Sequence, residues 1–296
     1  VDVNADRIGL TKNVDVAIQG DAKMVAEQLL EALASNAGDA NRKEREDLIS
    51  TTKSRWLQQL SSMDNEDDDP GTTWNERARA AHPDRMSPRM AWRAIQSALP
   101  RDAIISSDIG NNCAIGNAYP TFDEGRKYLA PGLFGPCGYG FPSILGAKIG
   151  CPDTPVVGFA GDGAFGISMN EMTACGRDEW PAITMVIFRN YQWGAEKRNT
   201  TLWYDDNFVG TELDLDVSYA KIADACGLKG VQVTTMAETT EALATAIKEQ
   251  MEDGVTTFIE VILNQELGEP FRRDAMKAPV SVAGISKDDM RPQQRS

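Results

Sequence analysis

Val156-Val157-Gly158-Phe159-Ala160-Gly161-Asp162-Gly163-Ala164-Phe165 decides how this chain is read, because an apolar run passes directly into a carboxylate flanked by glycines. The first five residues have the composition of a strand buried on both faces in a parallel sheet. Gly161 and Gly163 let the backbone pass close to a phosphate, and Ser168 to Cys175 reads as the start of a helix whose amide end favours the same negative charge. A second apolar run, Ile183 to Phe188, delivers Asn190 from a neighbouring strand end. Asp162, the side-chain oxygen of Asn190 and the backbone carbonyl of Gln192 then form a small oxygen set. Magnesium suits such a set, since it completes an octahedron with phosphate and water oxygens. Open α/β sheets bind their ligands where parallel strands stop. Gly-Asp-Gly alone is most often a tight turn; the inference rests on the order strand, Gly-Asp-Gly-Ala-Phe, helix, strand, Asn190.

That order resembles the metal-diphosphate anchor of thiamine diphosphate enzymes of the acetolactate synthase type. The resemblance implies that Asp162, Asn190 and Gln192 hold Mg2+, and that Gly161, Gly163, Ala164, Phe165 and Trp193 lie against thiamine diphosphate. The family's second strand usually ends in Asn-Asn; here Arg189 takes the first place, and the metal-binding Asn190 is kept. Ala103 to Ser107 reads as a strand that runs into Asp108-Ile109-Gly110-Asn111-Asn112. The family places diphosphate-bonding groups at this strand end, which maps them onto Gly110, Asn111 and Asn112, although an Asn-rich helix cap has the same local sequence. In Phe134-Gly135-Pro136-Cys137-Gly138-Tyr139-Gly140-Phe141-Pro142 the glycines permit close approach of a flat heterocycle. The family sets an apolar wedge there, under the bend between the two thiamine rings. Cys137 occupies that place, next to Gly138 and Tyr139, with a small side chain that makes a shallow wedge.

Glu196 stands six residues after Asn190, the spacing of a proton-shuttling Glu in pyruvate decarboxylases. Glu196 and Cys137 are therefore the candidate catalytic residues, while a helix-surface Glu beside Lys197 and Arg198 is an equal local reading. Arg189, Lys197 and Arg198 are candidate contacts to a substrate anion.

Bulk composition narrows the function classes. The 296 residues carry 42% apolar side chains, enough for one large or two ordinary globular domains, and a net charge of −14 argues against nucleic-acid or anionic-membrane partners. No apolar run approaches the roughly 20 residues needed to cross a bilayer. The five cysteines have no paired spacing, which fits reduced thiols in a cytoplasmic protein. His82 is the only histidine, so neither a His-based nucleophile triad nor a multi-His metal site can be built.

Four segments are expected. Residues 1–35 resemble the last part of a Rossmann-like middle domain, with strands at Val1–Asn4 and Val14–Ile18 and a helix carrying Met24, Leu29, Leu30 and Leu33. Residues 36–84 read as a polar linker, 85–265 as an α/β domain with a parallel sheet flanked by helices that binds thiamine diphosphate, and 266–296 as a tail. The sequence Arg189 to Asn199, together with Glu269 to Ala275 and Met290 to Gln293, resembles one branch of the family more closely. That branch converts sulfoacetaldehyde and phosphate into acetyl phosphate and sulfite in the degradation of two-carbon sulfonates such as taurine. The resemblance also implies a homodimer or homotetramer, whose site is completed by a pyrimidine-binding domain that this chain does not match. The open alternatives are an acetolactate synthase or 2-oxo acid decarboxylase, and a non-catalytic regulatory or assembly subunit that keeps the fold.

Overall fold

The computed structural model describes residues 1–10, 13–34, 42–64, 73–132, 134–203 and 207–267, so all of the expected tail but Glu266 and Leu267 lies outside the described residues. The described residues divide into two compact units, one up to Gln59 and one from Leu60.

In the first unit the two expected strands shrink to a single parallel bridge, Asp2 to Gln19. Two hydrogen bonds make it, Asp2 N to Ile18 O at 3.2 Å and Gly20 N to Asp2 O at 3.0 Å. Val1, Val3, Val14 and Val16 are exposed, and an isolated pair of strands has too little burial to propagate in water. The helix α1 (Ala22–Ala34) forms where expected, started by Asp21 Oδ1, which accepts from the Lys23 and Met24 amides at 3.0 Å. Its Met24, Leu29, Leu30 and Leu33 side chains are exposed.

The polar segment after it is largely helical. It carries α2 (Arg42–Asp64) and α3 (Thr73–Ala81), and Leu60, Asn75 and Ala78 are buried. Ser87 then caps α4 (Pro88–Ala98), its side chain accepting from the Met90 amide, with Pro88 at the first helical position.

The rest alternates strand and helix: β1 (Ile104–Ser107), α5 (Asn111–Gly116), β2 (Tyr128–Leu129), α6 (Gly140–Gly150), β3 (Val156–Gly161), α7 (Asp162–Ser168), α8 (Met172–Cys175) and β4 (Thr184–Arg189). It continues through α9 (Gly194–Trp203), α10 (Tyr219–Ala225), β5 (Lys229–Val233), α11 (Met236–Glu252) and β6 (Thr257–Ile262). The six strands form one all-parallel sheet in the order β2-β1-β3-β4-β6-β5. Successive residues of a strand point to opposite faces. Val157, Phe159, Val186 and Phe188 therefore pack with α4, α5 and α11, while Val156, Ala160, Met185 and Ile187 pack with α6, α7, α8 and α10. Burial on both faces explains the unbroken apolar runs of β3 and β4. Among the described residues no helix is long and apolar enough to cross a membrane.

One difference bears on the site. The helix expected to begin at Ser168 begins at Asp162 itself, with Gly161 as its cap, so the carboxylate sits on the first turn. The register pairs Gly161 with Phe188, which brings Asp162 beside Arg189 and Asn190.

Candidate active site

A cleft of about 130 Å3 opens where β1, β3 and β4 end. Gly110, Asn111 and Asn112 line one side, Gly161, Asp162, Gly163 and Ala164 the floor, and Asn190, Gln192 and Trp193 the other side, with Cys137 and Glu196 at its margin. A neighbouring cavity of about 380 Å3 shares Gly110, Asn111 and Glu196 with it and extends to Tyr128. Glu196 thus faces both spaces.

Asp162 is almost fully buried. Its Oδ1 accepts from the Gly163 amide at 3.0 Å, and its Oδ2 accepts from the Tyr191 amide at 2.6 Å and from Arg189 Nη1 at 3.1 Å. Burial pushes its carboxyl up to about 6, against the downward pull of the Arg189 guanidinium and these amides. Tyr191 reaches the carboxylate because its backbone turns to φ +60° directly after Asn190. Residues 191 to 193 are held from outside as well: the Trp193 amide donates to Thr211 O at 2.8 Å and the Leu213 amide to Tyr191 O at 2.9 Å.

Several buried polar atoms have no partner among the described residues, namely Asn112 Oδ1, Asn190 Nδ2 and Gln192 Oε1. Buried polar atoms are nearly always bonded, so three orphans around one cleft point to a polar ligand. An Asn amide can turn to present its oxygen, which leaves Asn190 fit to bind a cation beside Asp162. Two glycines shape the cradle. Gly110 adopts φ +127°, closed to other residues, and a Cβ there would meet nothing within 4 Å; one on Gly163 would strike the Trp193 ring at 2.8 Å. The donor set fits a hard cation carrying phosphate oxygens.

Asp108, to which the sequence reading gave no role, organises the opposite wall. Its Oδ1 accepts from the Ile109 and Gly138 amides at 2.8 and 3.1 Å, and its Oδ2 from Gly140 N at 2.6 Å. It thereby fixes the loop that carries Cys137. A second unforeseen element is the segment after β6. Glu266 O accepts from Asn111 Nδ2 at 3.2 Å and Gln265 O from Gln192 Nε2 at 3.1 Å, while the Glu266 carboxylate is buried against Arg89 at 2.9 Å and Arg79 at 3.5 Å. These partners lie far from the cleft residues along the chain, and no local signal marks them.

Four expected contacts fall elsewhere. Arg189, read as an anion contact, is buried and held by Asp162, by Glu260 at 3.7 Å and by the Asp214 and Val217 carbonyls, off the lining of the cleft. Lys197, read likewise, is buried in an ion pair with Glu212. The Phe165 ring packs in the core against Phe141 and Phe258, and Phe165 does not line the cleft. Tyr139 is half-buried at the start of α6 and does not line the cleft. The Arg198 side chain lies outside the described residues. Cys137 is exposed, and its thiol is pushed up by desolvation and by the charges of Asp108 and Glu196. A raised thiol is a poor nucleophile, which favours a packing role.

Residues 108–261, a little over half of the chain, match the model of the thiamine pyrophosphate enzyme C-terminal TPP binding domain. The chain belongs to the thiamine pyrophosphate enzyme family. Within the family it is 75% identical over 295 residues to the probable sulfoacetaldehyde acetyltransferase of Rhizobium meliloti (strain 1021), covering 100% of this chain and 50% of that protein. It is 74% identical over 294 residues to the sulfoacetaldehyde acetyltransferase of Roseovarius nubinhibens, covering 99% of this chain and 49% of the other. The chain thus spans about half the length of the curated relatives it matches. Among solved structures, the thiamine diphosphate-dependent 4-hydroxybenzoylformate decarboxylase of Rhodococcus jostii RHA1 superposes with a TM-score of 0.54 at 22% identity, over 61% of this chain and 33% of that one, a likeness of fold.

Proposed function

We propose that this chain is the diphosphate- and metal-binding half of an enzyme that converts sulfoacetaldehyde and phosphate into acetyl phosphate and sulfite. The supporting observation is identity of 71 to 75% along essentially the whole chain to three relatives named for sulfoacetaldehyde acetyltransferase activity. The cleft supports it chemically. Asp162, the Asn190 amide and the Gln192 carbonyl hold Mg2+, and Gly110, Asn111 and Asn112 bond the diphosphate. Bound thiamine diphosphate supplies a carbon nucleophile and an electron sink. Gly161, Gly163, Ala164, Trp193 and Cys137, which line the cleft, would bear on that group. Glu196, between the two cavities, moves protons to and from the substrate. With Arg189 committed to the buried carboxylates of Asp162 and Glu260 and Lys197 to the exposed carboxylate of Glu212, Arg198 is the remaining member of the set for the substrate anion. The enzyme acts in the cytoplasm as a homodimer or homotetramer, and a pyrimidine-binding domain from a neighbouring subunit completes each site.

The test uses the full-length protein with thiamine diphosphate, Mg2+, sulfoacetaldehyde and phosphate, with pyruvate in a parallel reaction. Phosphate-dependent sulfite release without pyruvate consumption is expected. Pyruvate turnover without sulfite would move the protein to the 2-oxo acid enzymes, and no turnover with no cofactor binding would leave a non-catalytic subunit.

A further inference from the structure

Arg189 and the Tyr191 amide together occupy half of the Asp162 carboxylate. An ionised carboxylate offers about four lone-pair positions. Both positions on Oδ2 are taken, one by Arg189 Nη1 at 3.1 Å and one by the Tyr191 amide at 2.6 Å, and the Gly163 amide takes one on Oδ1 at 3.0 Å. A single position remains, on Oδ1.

The guanidinium cannot swing away to release Oδ2. Its Nη2 donates to the Asp214 carbonyl and to the Val217 carbonyl at 3.0 Å, and its Nε lies 3.7 Å from Glu260. The Tyr191 ring lies 4.2 Å from its centre and the Tyr219 ring 5.4 Å. Glu260 is itself immobilised, accepting from Ser218 Oγ at 2.7 Å and from the Tyr219 amide at 3.2 Å.

We propose that Arg189 is a specificity-determining residue that restricts Asp162 to binding a cation through one oxygen, and so selects Mg2+ over Ca2+. Mg2+ demands near-octahedral coordination and takes one oxygen from a carboxylate readily, whereas Ca2+ takes six to eight oxygens and uses bidentate carboxylates to reach that number. The positive charge of Arg189 opposes both divalent ions equally. Only its occupation of Oδ2 distinguishes them, so the readout is the ratio of the two affinities, which a general structural role would leave unchanged. The inference rests on the reading of Asp162 and Asn190 as cation ligands.

The test measures Mg2+ and Ca2+ binding by calorimetry on the full-length protein with thiamine diphosphate, for the natural sequence, Arg189→Met and the double variant Arg189→Met/Glu260→Gln. The double variant removes the carboxylate that the single one strands, and so provides a folded protein if Arg189→Met alone fails to fold. Thermal melting identifies which variants are folded. The ratio is expected to shift towards Ca2+ by about tenfold in a folded variant. A folded variant whose ratio stays within about twofold of the natural protein overturns the inference while leaving the proposed function intact. Absence of any divalent-ion binding by the natural protein overturns the site reading itself, and the inference with it.

Discussion

The ends of β1 and β3 each carry a buried aspartate, yet the two are built for opposite purposes. Asp108 spends its oxygens on three backbone amides, those of Ile109, Gly138 and Gly140. Asp162 accepts from two amides and a guanidinium, beside the orphaned amide groups of Asn190 and Gln192. Burial raises the pKa of both. The difference lies in what surrounds them. A carboxylate saturated by amides fixes the path of a loop; one left with an open lone pair among unpartnered polar atoms is prepared for a ligand.

Exchanging the functions of the two residues should therefore fail in different ways. Asp162→Asn should weaken Mg2+ binding on the order of 10³-fold in calorimetry, with the ligand-free melting temperature little changed, since Arg189 keeps Glu260 as its counter-ion. The pH dependence has a definite sign. The folded-state value of about 6 lies above the ordinary 3.8, so the ligand-free protein gains stability from Asp162 below pH 3.8 and loses it as the pH rises through about 6. Because the cation binds the carboxylate form, apparent Mg2+ affinity should fall as the pH drops below about 6. Asp108→Ala should show the reverse pattern. Three amides lose their acceptor, and the protein should be destabilised by about 3 kcal/mol in denaturant unfolding. Equal loss of stability in both variants would erase the distinction between the two strand ends.

The sequence made the β3 end readable because its information is local. Gly161, Asp162 and Gly163 are adjacent, and the apolar runs before them and before Asn190 announce two buried parallel strands. The β1 end was only half readable. Gly110, Asn111 and Asn112 are adjacent in the chain and line the cleft, but Asp108 acts on Gly138 and Gly140, across a separation that no periodicity records. Arg189 illustrates a different obstacle. A cation next to a candidate metal ligand suggests an anion contact until Glu260 and the Asp214 carbonyl are known to surround it, and that is a fact of tertiary packing. The expected strands at Val1–Asn4 and Val14–Ile18 failed because alternation specifies a strand only where a sheet receives it.

A third carboxylate, Glu196, belongs to neither pattern. It lines both cavities at the margin of the cleft. Glu196→Gln should lower kcat of the full-length enzyme about 10²-fold while leaving Mg2+ affinity and melting temperature at their natural values. Unchanged turnover would remove its role as proton carrier and return it to a surface helix position.

The smallest effect reports the fields of Asp108 and Glu196 together. Cys137 is exposed, but desolvation and then the charges of Asp108 and Glu196 raise its pKa. Only the thiolate is alkylated, so at pH 8 Cys137 should react with iodoacetamide more slowly than a free cysteine, and faster as the pH rises. Peptide mapping separates it from the other exposed thiol, Cys151. Glu196→Gln removes one of the two negative charges and should speed labelling about two- to threefold, since a charge near a solvated cleft changes a pKa by a fraction of a unit. The same acceleration in a variant of a distant surface carboxylate, such as Glu252→Gln, would mean that net charge rather than proximity governs the thiol. A response confined to Glu196 would place its carboxylate beside the loop that Asp108 fixes, joining the structural aspartate and the candidate proton carrier across one cleft.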